Sequence, residues 1–202
     1  MKNYRLPIKS FDIAINDLKN DIPQPVYFLM GEDYFLQEFF VNQLLKIIQK
    51  DKPIQKTILI PDDIGSKDIL DRLTSLDLFD STKLFILRNP NGIKGNLRDE
   101  LVEYCKNPSE QNILILIQDE YGTKNKMLKE LVKISNPISV SIPFESEMVN
   151  WVKYFFKKNG LKNIPKDIIE TIISISGDSL FHIKNEINKI CVNINSIEEL
   201  DR

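Results

Sequence analysis

The amino-acid sequence predicts a three-layer α/β domain with a mostly parallel sheet, followed by a small helical bundle. Short apolar, β-branched runs alternate with helical patterns, and these runs are 26–30, 56–60, 83–88, 112–118 and 138–142. Apolar runs of this kind are typical of strands buried on both faces, and a helix between successive strands favours right-handed parallel connections. After Pro143 only the helical period remains. We therefore divide the chain into an α/β domain, 1–143, and a helical domain, 144–202.

The helical patterns follow a regular order along the chain. A short helix is predicted from about Ser10 to Asn20, and the helices between the strands are predicted near 33–50, 66–76, 97–106 and 124–135. In the helical domain, Gly160 and Gly177 fall where helices should end, because glycine readily adopts the left-handed conformation that closes a helix. Pro165 is at the first turn of the middle helix, where proline is tolerated.

Composition limits the classes of partner. The chain has 202 residues, of which 42% are apolar and 28% charged, as in a folded globular protein. The 27 basic and 29 acidic residues give a net charge of −2, so no overall positive field attracts nucleic acid or a membrane, and any DNA contact must be local. Without a signal peptide or a long apolar run, the sequence predicts a cytoplasmic protein that does not span a membrane.

The cysteine and histidine content does not indicate a metal or redox site. Cys105 and Cys191 lie in separate helical patterns, and His182 is the sole histidine of the chain. A metal-binding cysteine needs further Cys or His residues at ligand spacing. We therefore expect structural thiols, with no metal and no cofactor.

The first strand and the following helix have the layout of a phosphate-binding loop. The stretch "VYFLMGEDYFLQEFF", 26–40, turns at Gly31. A nucleotide-binding loop would continue as G-x-x-x-x-G-K-[ST], but here Glu32 and Asp33 follow and no lysine is present. Carboxylates stabilise the first turn of a helix and repel a triphosphate. We therefore predict a degenerate nucleotide loop, formed by Gly31, Glu32 and Asp33, whose acids lie in the first turn of the helix.

A second pattern leaves an alternative function open. The stretch "ILILIQDE", 113–120, is similar to the apolar strand ending in Asp-Glu that holds magnesium in P-loop enzymes. Such an aspartate contributes only beside a bound triphosphate, so we interpret Asp119 and Glu120 as solvated turn residues. The alternative that would use them is a divergent P-loop ATPase or nucleotide kinase. Because no Ser-His-Asp or Cys-His set can be assembled, no catalytic residue is assigned.

Leu78 and Phe79 form an apolar pair in a polar segment between a predicted helix and the strand 83–88. Asp77 and Asp80 flank the pair. An apolar pair in such a segment either packs beneath it or serves as an anchor in a partner's pocket. From the residues alone, packing beneath the segment is favoured.

Two groups of lysines are candidates for contact with DNA. The first contains Lys124, Lys126, Lys129 and Lys133, and the second contains Lys153, Lys157 and Lys158. Lysines at this spacing are usually a solvated helix face, and a DNA contact requires them to converge on one surface. We mark Lys124, Lys126 and Lys129 as possible DNA contacts.

Taken together, these features resemble the delta-subunit family of bacterial DNA polymerase III clamp loaders, which are AAA+ relatives that do not bind ATP. The resemblance covers essentially the whole chain. It is carried by "VYFLMGEDYFLQE" at the degenerate loop, "SLDLFDSTKLFILRN" across the third strand and "GDSLFHIKNEINKI", 177–190, in the helical domain. The fold it implies is a P-loop NTPase-like (AAA+) domain with a parallel sheet, followed by a helical lid.

The resemblance also implies that the nucleotide site has been lost. In catalytic AAA+ relatives the lid carries Gly-Asp-x-Arg, whose arginine senses the γ-phosphate; here Gly177 and Asp178 are present but Leu180 stands at the place of the arginine. The third strand ends in Arg88 and Asn89 instead of Asp-Glu. These differences, together with the missing lysine, imply a non-catalytic subunit.

The implied role is to open the sliding clamp. In this family a Leu-Phe pair at the position of Leu78 and Phe79 inserts into a hydrophobic pocket of the ring-shaped clamp. The partners implied are the sliding clamp, the other clamp-loader subunits and, through the assembled loader, primed DNA. In the family a third domain, the collar, follows these two. The capping-box pattern of Ser196 and Glu199 predicts that a new helix begins near the end of the sequence. We therefore expect that the sequence ends before the collar.

Overall fold

The computed structural model describes residues 8–49, 54–75, 82–122 and 125–193. The chain divides into two compact units, Met1–Ser141 and Ile142–Arg202. Within the described residues, the first unit contains a five-stranded sheet and six α-helices, and the second contains three α-helices.

The elements of the first unit alternate along the chain. Its strands are β1 (Val26–Met30), β2 (Gln55–Leu59), β3 (Lys83–Arg88), β4 (Asn112–Gln118) and β5 (Ile138–Ser139). Its helices are α1 (Phe11–Asn20), α2 (Tyr34–Ile48), α3 (Pro61–Ile64), α4 (Ser66–Thr74), α5 (Leu97–Lys106) and α6 (Lys126–Ser135), and a short 3₁₀ helix spans Pro90–Gly92. The sequence patterns did not predict α3 or the 3₁₀ helix.

The sheet has the order β2-β3-β4-β1-β5, and every strand pair is parallel. The predicted parallel sheet is thereby confirmed. The predicted limits of β1, β3 and β4 are also confirmed. These three strands lie inside the sheet, where helices cover both faces and favour a nearly continuous apolar run.

Helices cover both faces of the sheet, as predicted for a three-layer domain. Val26, Phe28 and Met30 of β1 join a buried cluster with apolar residues of α4, α5 and α6. Tyr27 points to the opposite face, since side chains alternate along a strand, and its ring lies 5.2 Å from that of Phe40 in α2. The first helix packs on α2 in turn, because the rings of Phe11 and Phe39 lie 6.1 Å apart.

The two outer strands differ from the prediction of strands buried on both faces. β2 begins at Gln55 and is largely exposed, with Ile58 at 51% relative exposure, because it has a neighbour on one side only. β5 contains two residues instead of the predicted five. Its outer side is covered by Lys9, whose backbone bonds to Pro137 and Ser139.

The second unit is a small helical bundle, as predicted, and its helices are α7 (Glu145–Lys158), α8 (Lys166–Ser176) and α9 (Leu180–Asn193). The backbone amide of Phe144 donates to the Glu147 side chain at 2.8 Å, which fixes the start of α7. Gly177 ends α8 with a positive φ of 65°, so the predicted helix end is confirmed. The apolar residues buried here are Met148, Val152, Phe155, Phe156, Leu161, Ile169, Ile172, Leu180, Ile183 and Ile187. None of the helices in the described ranges is long and apolar enough to cross a membrane.

Candidate functional site

The carboxyl ends of β1 and β4 form the place where open parallel sheets bind ligands. The connection from β1 passes through α2 to the far edge of the sheet, whereas the connection from β4 passes through α6 on the other face to β5. Neighbouring strands whose connections leave in opposite directions open a crevice between them. Gly31 directly follows β1 and Asp119 directly follows β4, so the predicted nucleotide loop lies at this crevice.

Gly31 is held in a tight turn that excludes a side chain. Its φ is 132°, and its amide donates to the carbonyl of Gln118 at 3.0 Å. A Cβ at this position would lie 2.5 Å from the carbonyl carbon of Val140 and from the amide nitrogen of Ser141. Glycine is therefore required by the close approach of the chain that follows β5.

Asp33 occupies the amino end of α2, where a bound phosphate would otherwise lie. Its carboxylate accepts a hydrogen bond from the Leu36 amide at 2.8 Å, and its own amide donates to the carbonyl of Val140 at 2.9 Å. Asp33 is buried and is the N-cap residue of α2, one position before the first turn in which it was predicted, while Glu32 is exposed. The Asp33 carboxylate interacts favourably with the positive end of the α2 helix dipole, the end that would otherwise attract a phosphate.

Gln37 fills the crevice and was not identified from the sequence. Its side-chain nitrogen donates to the Gly31 carbonyl at 2.9 Å and to Oδ1 of Asp119 at 3.0 Å. Its side-chain oxygen accepts from Nη1 of Arg88 at 3.2 Å. With 1% relative exposure, this one carboxamide links the carboxyl ends of β1, β3 and β4. The available signal was a glutamine at helical spacing from Phe40, Val41 and Leu44, on the buried side of α2.

Arg88 and Asp119 complete the network. The Arg88 guanidinium lies over the ring of Tyr34, 4.8 Å from its centroid, which is cation–π geometry. Asp119 and Glu120 are both exposed, but Asp119 is not simply a solvated turn residue, because it accepts the bond from Gln37. The groups that a Mg-nucleotide would contact are therefore already engaged by the chain's own side chains.

The predicted DNA contacts are placed only in part. Lys126 and Lys129 are exposed on α6, and Lys126 lies 3.9 Å from Asp99, so its charge is partly offset. Lys124 lies outside the described residues. On the same helix, Lys133 pairs with Glu130 at 2.7 Å, and this hydrogen bond, with the nearby positive charges, lowers the pKa of the Glu130 carboxyl.

Leu78 and Phe79 also lie outside the described residues. They belong to the segment between the end of α4 at Thr74 and the start of β3 at Lys83. In the second unit, Leu180 is buried at the start of α9, whereas Asp178 and His182 are exposed.

The two thiols differ in burial, and burial raises the pKa of both. Cys105 is buried in the cluster beneath α5, and this burial raises the pKa of its thiol to about 12. Cys191 is half-buried, which also raises the pKa of its thiol. In the portions of the chain that the structure describes, no three His, Cys, Asp or Glu side chains lie together in a way that could hold a metal ion.

Known proteins share both the sequence pattern and the fold. A model of the family described as DNA polymerase III, delta subunit matches residues 27–141. The DNA polymerase III subunit delta of Buchnera aphidicola is 26% identical over an alignment 185 residues long, which covers 86% of this chain and 54% of that protein. The chain thus spans about half the length of this relative.

Two solved structures have the same fold. The Bacillus subtilis DNA clamp loader delta protein superposes with a TM-score of 0.68 at 17% identity, over 95% of this chain and 61% of that chain. The Thermotoga maritima RuvB Holliday junction branch migration motor gives a TM-score of 0.55 at 13% identity, over 88% of this chain and 58% of that chain. The predicted AAA+-like fold is confirmed by these superpositions. Since the family model matches more than half of the residues, the chain belongs to the DNA polymerase III delta-subunit family.

Proposed function

We propose that this chain acts as a clamp-loader delta subunit, which binds the sliding clamp and favours its open form during replication. Its membership of the delta family supports this role. The main structural support is that Gln37 lies in the crevice where a nucleotide would bind and donates a hydrogen bond to Gly31. A nucleotide-driven subunit needs an accessible phosphate site. Here Gln37 and Asp33 occupy the corresponding positions, so the chain depends on other subunits for ATP.

The same observation supports a non-catalytic subunit. Asp119 would have to hold magnesium in the alternative reading as a divergent P-loop ATPase or nucleotide kinase. Its carboxylate instead accepts a hydrogen bond from Gln37, which Arg88 in turn contacts. With no lysine between Gly31 and Lys46, the loop also lacks a cation for the phosphates.

The proposed clamp-binding residues are Leu78 and Phe79. Their support is the sequence: an apolar pair between Asp77 and Asp80, whose charges disfavour burial of the segment. A buried aromatic and an aliphatic side chain are typical anchors of a protein interface. Binding shifts the clamp toward its open form only to the extent that these anchors bind that form more tightly.

The partners proposed are the sliding clamp, the other clamp-loader subunits and primed DNA held by the assembled loader, in the cytoplasm. Subunits that bind ATP would expose or withdraw the Leu78–Phe79 segment. This chain would contribute the contact with the clamp, and the ATP-binding subunits would contribute the energy of the cycle.

A titration with the sliding clamp of the same organism tests the proposal. We expect the unmutated chain to bind, and the Leu78→Ala, Phe79→Ala double variant to lose about 2 kcal/mol or more of binding free energy, the scale of interface anchors. The double variant should keep its melting temperature. If the pair were core residues, each replacement would cost about 2–5 kcal/mol and the variant would melt early.

The matched control is the Ile13→Ala, Ile22→Ala double variant. These isoleucines are 55% and 89% exposed, so their loss removes apolar surface elsewhere without disturbing the core. The control should bind the clamp normally. Normal binding by a folded Leu78, Phe79 variant would overturn the site, and no binding by the unmutated chain would overturn the proposed function.

A further inference from the structure

A basic segment of the second unit departs from the charge balance of the chain. Residues 148–166 carry five lysines and no aspartate or glutamate, whereas the chain as a whole has a net charge of −2. All five lysines are exposed, and they are Lys153, Lys157, Lys158, Lys162 and Lys166. The segment comprises most of α7 and the connection to α8. Lys166 pairs with Glu170 at 3.3 Å. The other four lysines make the segment a local source of positive potential.

Two aromatic side chains of the same segment are half-buried. The rings of Trp151 and Tyr154 lie 5.5 Å apart at an interplanar angle of 85°, an edge-to-face pair. The ammonium of Lys158 lies 5.6 Å from the centroid of the Tyr154 ring. Both residues are intermediate in burial, so neither is fully enclosed by the fold.

The spacing along α7 places these groups in one strip. Trp151, Tyr154 and Lys158 follow the i, i+3, i+7 spacing of neighbours on a helix surface. Met148, Val152 and Phe156 are buried on a different side of α7. The strip thus lies beside the buried side, and Lys153 and Lys157 extend the positive charge around the exposed part of the helix.

The stability of α7 alone does not account for this pattern. Lysines in the last turn of a helix stabilise its carboxyl end, and this effect accounts for Lys157 and Lys158. This effect does not account for Lys153 or Lys162, and it does not account for a tryptophan that is only partly buried. On α6, by comparison, Lys126 and Lys133 each face an acid, Asp99 and Glu130 respectively.

We propose that Trp151, Tyr154 and the five lysines, here named the basic–aromatic surface, bind single-stranded nucleic acid. The lysines would contact successive phosphates, and an unpaired base would stack on the exposed part of an aromatic ring. A single strand fits better than a duplex, because the bases of a duplex already stack on one another and offer no free faces. The proposal is independent of clamp binding, since it uses no residue of the Leu78–Phe79 segment.

Trp151 provides a direct measurement, because it is the single tryptophan of the chain. A thymidine homopolymer of about 15 nucleotides, near the upper end of known single-strand site sizes, would be titrated into the 202-residue chain while tryptophan fluorescence is recorded. We expect saturable quenching that weakens with added salt. Each lysine that neutralises a phosphate should contribute about 0.7 to the slope of log K against log salt concentration.

Two triple variants separate this surface from exposed lysines of the first unit. Lys153→Ala, Lys157→Ala, Lys158→Ala should lower the affinity and reduce the salt slope by about 2, as three lost phosphate contacts require. The matched control, Lys19→Ala, Lys46→Ala, Lys67→Ala, removes the same charge from exposed positions of the first unit and should bind as the unmutated chain does. All six side chains are exposed, so both variants should fold.

Trp151→Ala tests the stacking contact, with the anisotropy of a labelled oligonucleotide as the measurement. Its affinity should fall at least about fivefold, the lower range for loss of one stacked base. Trp151→Phe, which keeps an aromatic ring, should restore most of it. The proposal is overturned if oligonucleotide causes no saturable quenching, if the control variant loses as much affinity as the Lys153, Lys157, Lys158 variant, or if polyglutamate quenches Trp151 as effectively. Equal affinity for a duplex of the same length would likewise overturn recognition of single strands.

Discussion

The side-chain nitrogen of Gln37 lies 3.0 Å from Oδ1 of Asp119, although 82 residues separate them in the sequence. Gln37 belongs to the helix after β1, and Asp119 to the turn after β4. The same nitrogen also donates a hydrogen bond to the Gly31 carbonyl, and the side-chain oxygen of Gln37 accepts one from Arg88. A neutral carboxamide thus links a carboxylate and a guanidinium at the carboxyl edge of the sheet.

Replacing Gln37 should destabilise the first unit. Gln37→Leu keeps the approximate size of the side chain but leaves the buried Gly31 carbonyl without its donor. An unsatisfied buried polar group costs about 1–3 kcal/mol, so the free energy of unfolding should fall by that amount. Urea unfolding measures it, and Gln43→Leu on the same helix, at a half-buried position, is the control. Equal stability of the two variants would contradict a structural role for the network.

Gln37→Glu distinguishes the donor from the acceptor. Glutamate can still accept a hydrogen bond from Arg88, but it cannot donate to Gly31 or Asp119 and places two carboxylates together. We expect Gln37→Glu to be less stable than Gln37→Leu near pH 7 and to recover part of the difference at about pH 4, where carboxyl groups become protonated. Urea unfolding at the two pH values checks this order.

Gly31 should be among the least replaceable residues of the loop. Gly31→Ala would place a Cβ 2.5 Å from backbone atoms of Val140 and Ser141, which cannot move aside as a flexible side chain could. We expect a loss of more than about 3 kcal/mol in the free energy of unfolding, the range of severe steric change. Gly95→Ala is the matched control, because Gly95 also has a positive φ but has open space around it. Its cost should be about 1–2 kcal/mol, the backbone term alone.

The limits and burial of the central strands could be predicted from the sequence, whereas for the edge strands only the approximate position could. A strand with neighbours on both sides and helices on both faces must be apolar along its length, so β4 reads directly as "NILILIQ". β2 has a neighbour on one side only and tolerates Gln55 and Lys56 in water. β5 is short because Val140 and Ser141 leave the strand to pack against Gly31.

The loss of the nucleotide site could be predicted, but its replacement could not. The missing lysine and the acids after Gly31 are visible in the sequence. The role of Gln37 depends on contacts with Arg88 and Asp119, which only the strand order brings together. A polar residue on the buried side of a helix signals an internal partner without identifying it.

The raised pKa of Cys105 predicts a loss of stability in alkali. Its thiol has a pKa of about 12 in the folded chain, against an ordinary value of 9.0. The folded state therefore holds this proton more tightly, and the stability it provides is complete below pH 9 and is lost as the pH rises toward 12. At about pH 10.5 the loss should be about 2 kcal/mol, from 1.4 kcal/mol per pH unit.

Urea unfolding of Cys105→Ala tests this contribution. Other groups titrate in both proteins, so the comparison is the extra stability that the unmutated chain loses between pH 8 and about pH 10.5. Cys191→Ala is the control, because Cys191 is less buried and should contribute less. A Cys105→Ala variant that loses as much stability with pH as the unmutated chain would contradict the assignment to this thiol.

Mg-ATP should neither bind the chain nor stabilise it. Asp33 accepts a hydrogen bond from the first turn of α2, where a phosphate would bind. Gln37 donates to the Asp119 carboxylate, which magnesium would need as a ligand. A ligand at one hundred times its dissociation constant stabilises a protein by about 2.7 kcal/mol, so 1 mM nucleotide would reveal any dissociation constant near 10 μM as a clear rise in melting temperature. We expect no rise and no saturable heat in calorimetry. Inorganic triphosphate, titrated separately, tests the loop without the base and should also give no signal. Saturable micromolar binding that Asp119→Ala abolishes would instead favour the ATPase or kinase alternative, because that carboxylate would then be holding a metal and not the Gln37 amide.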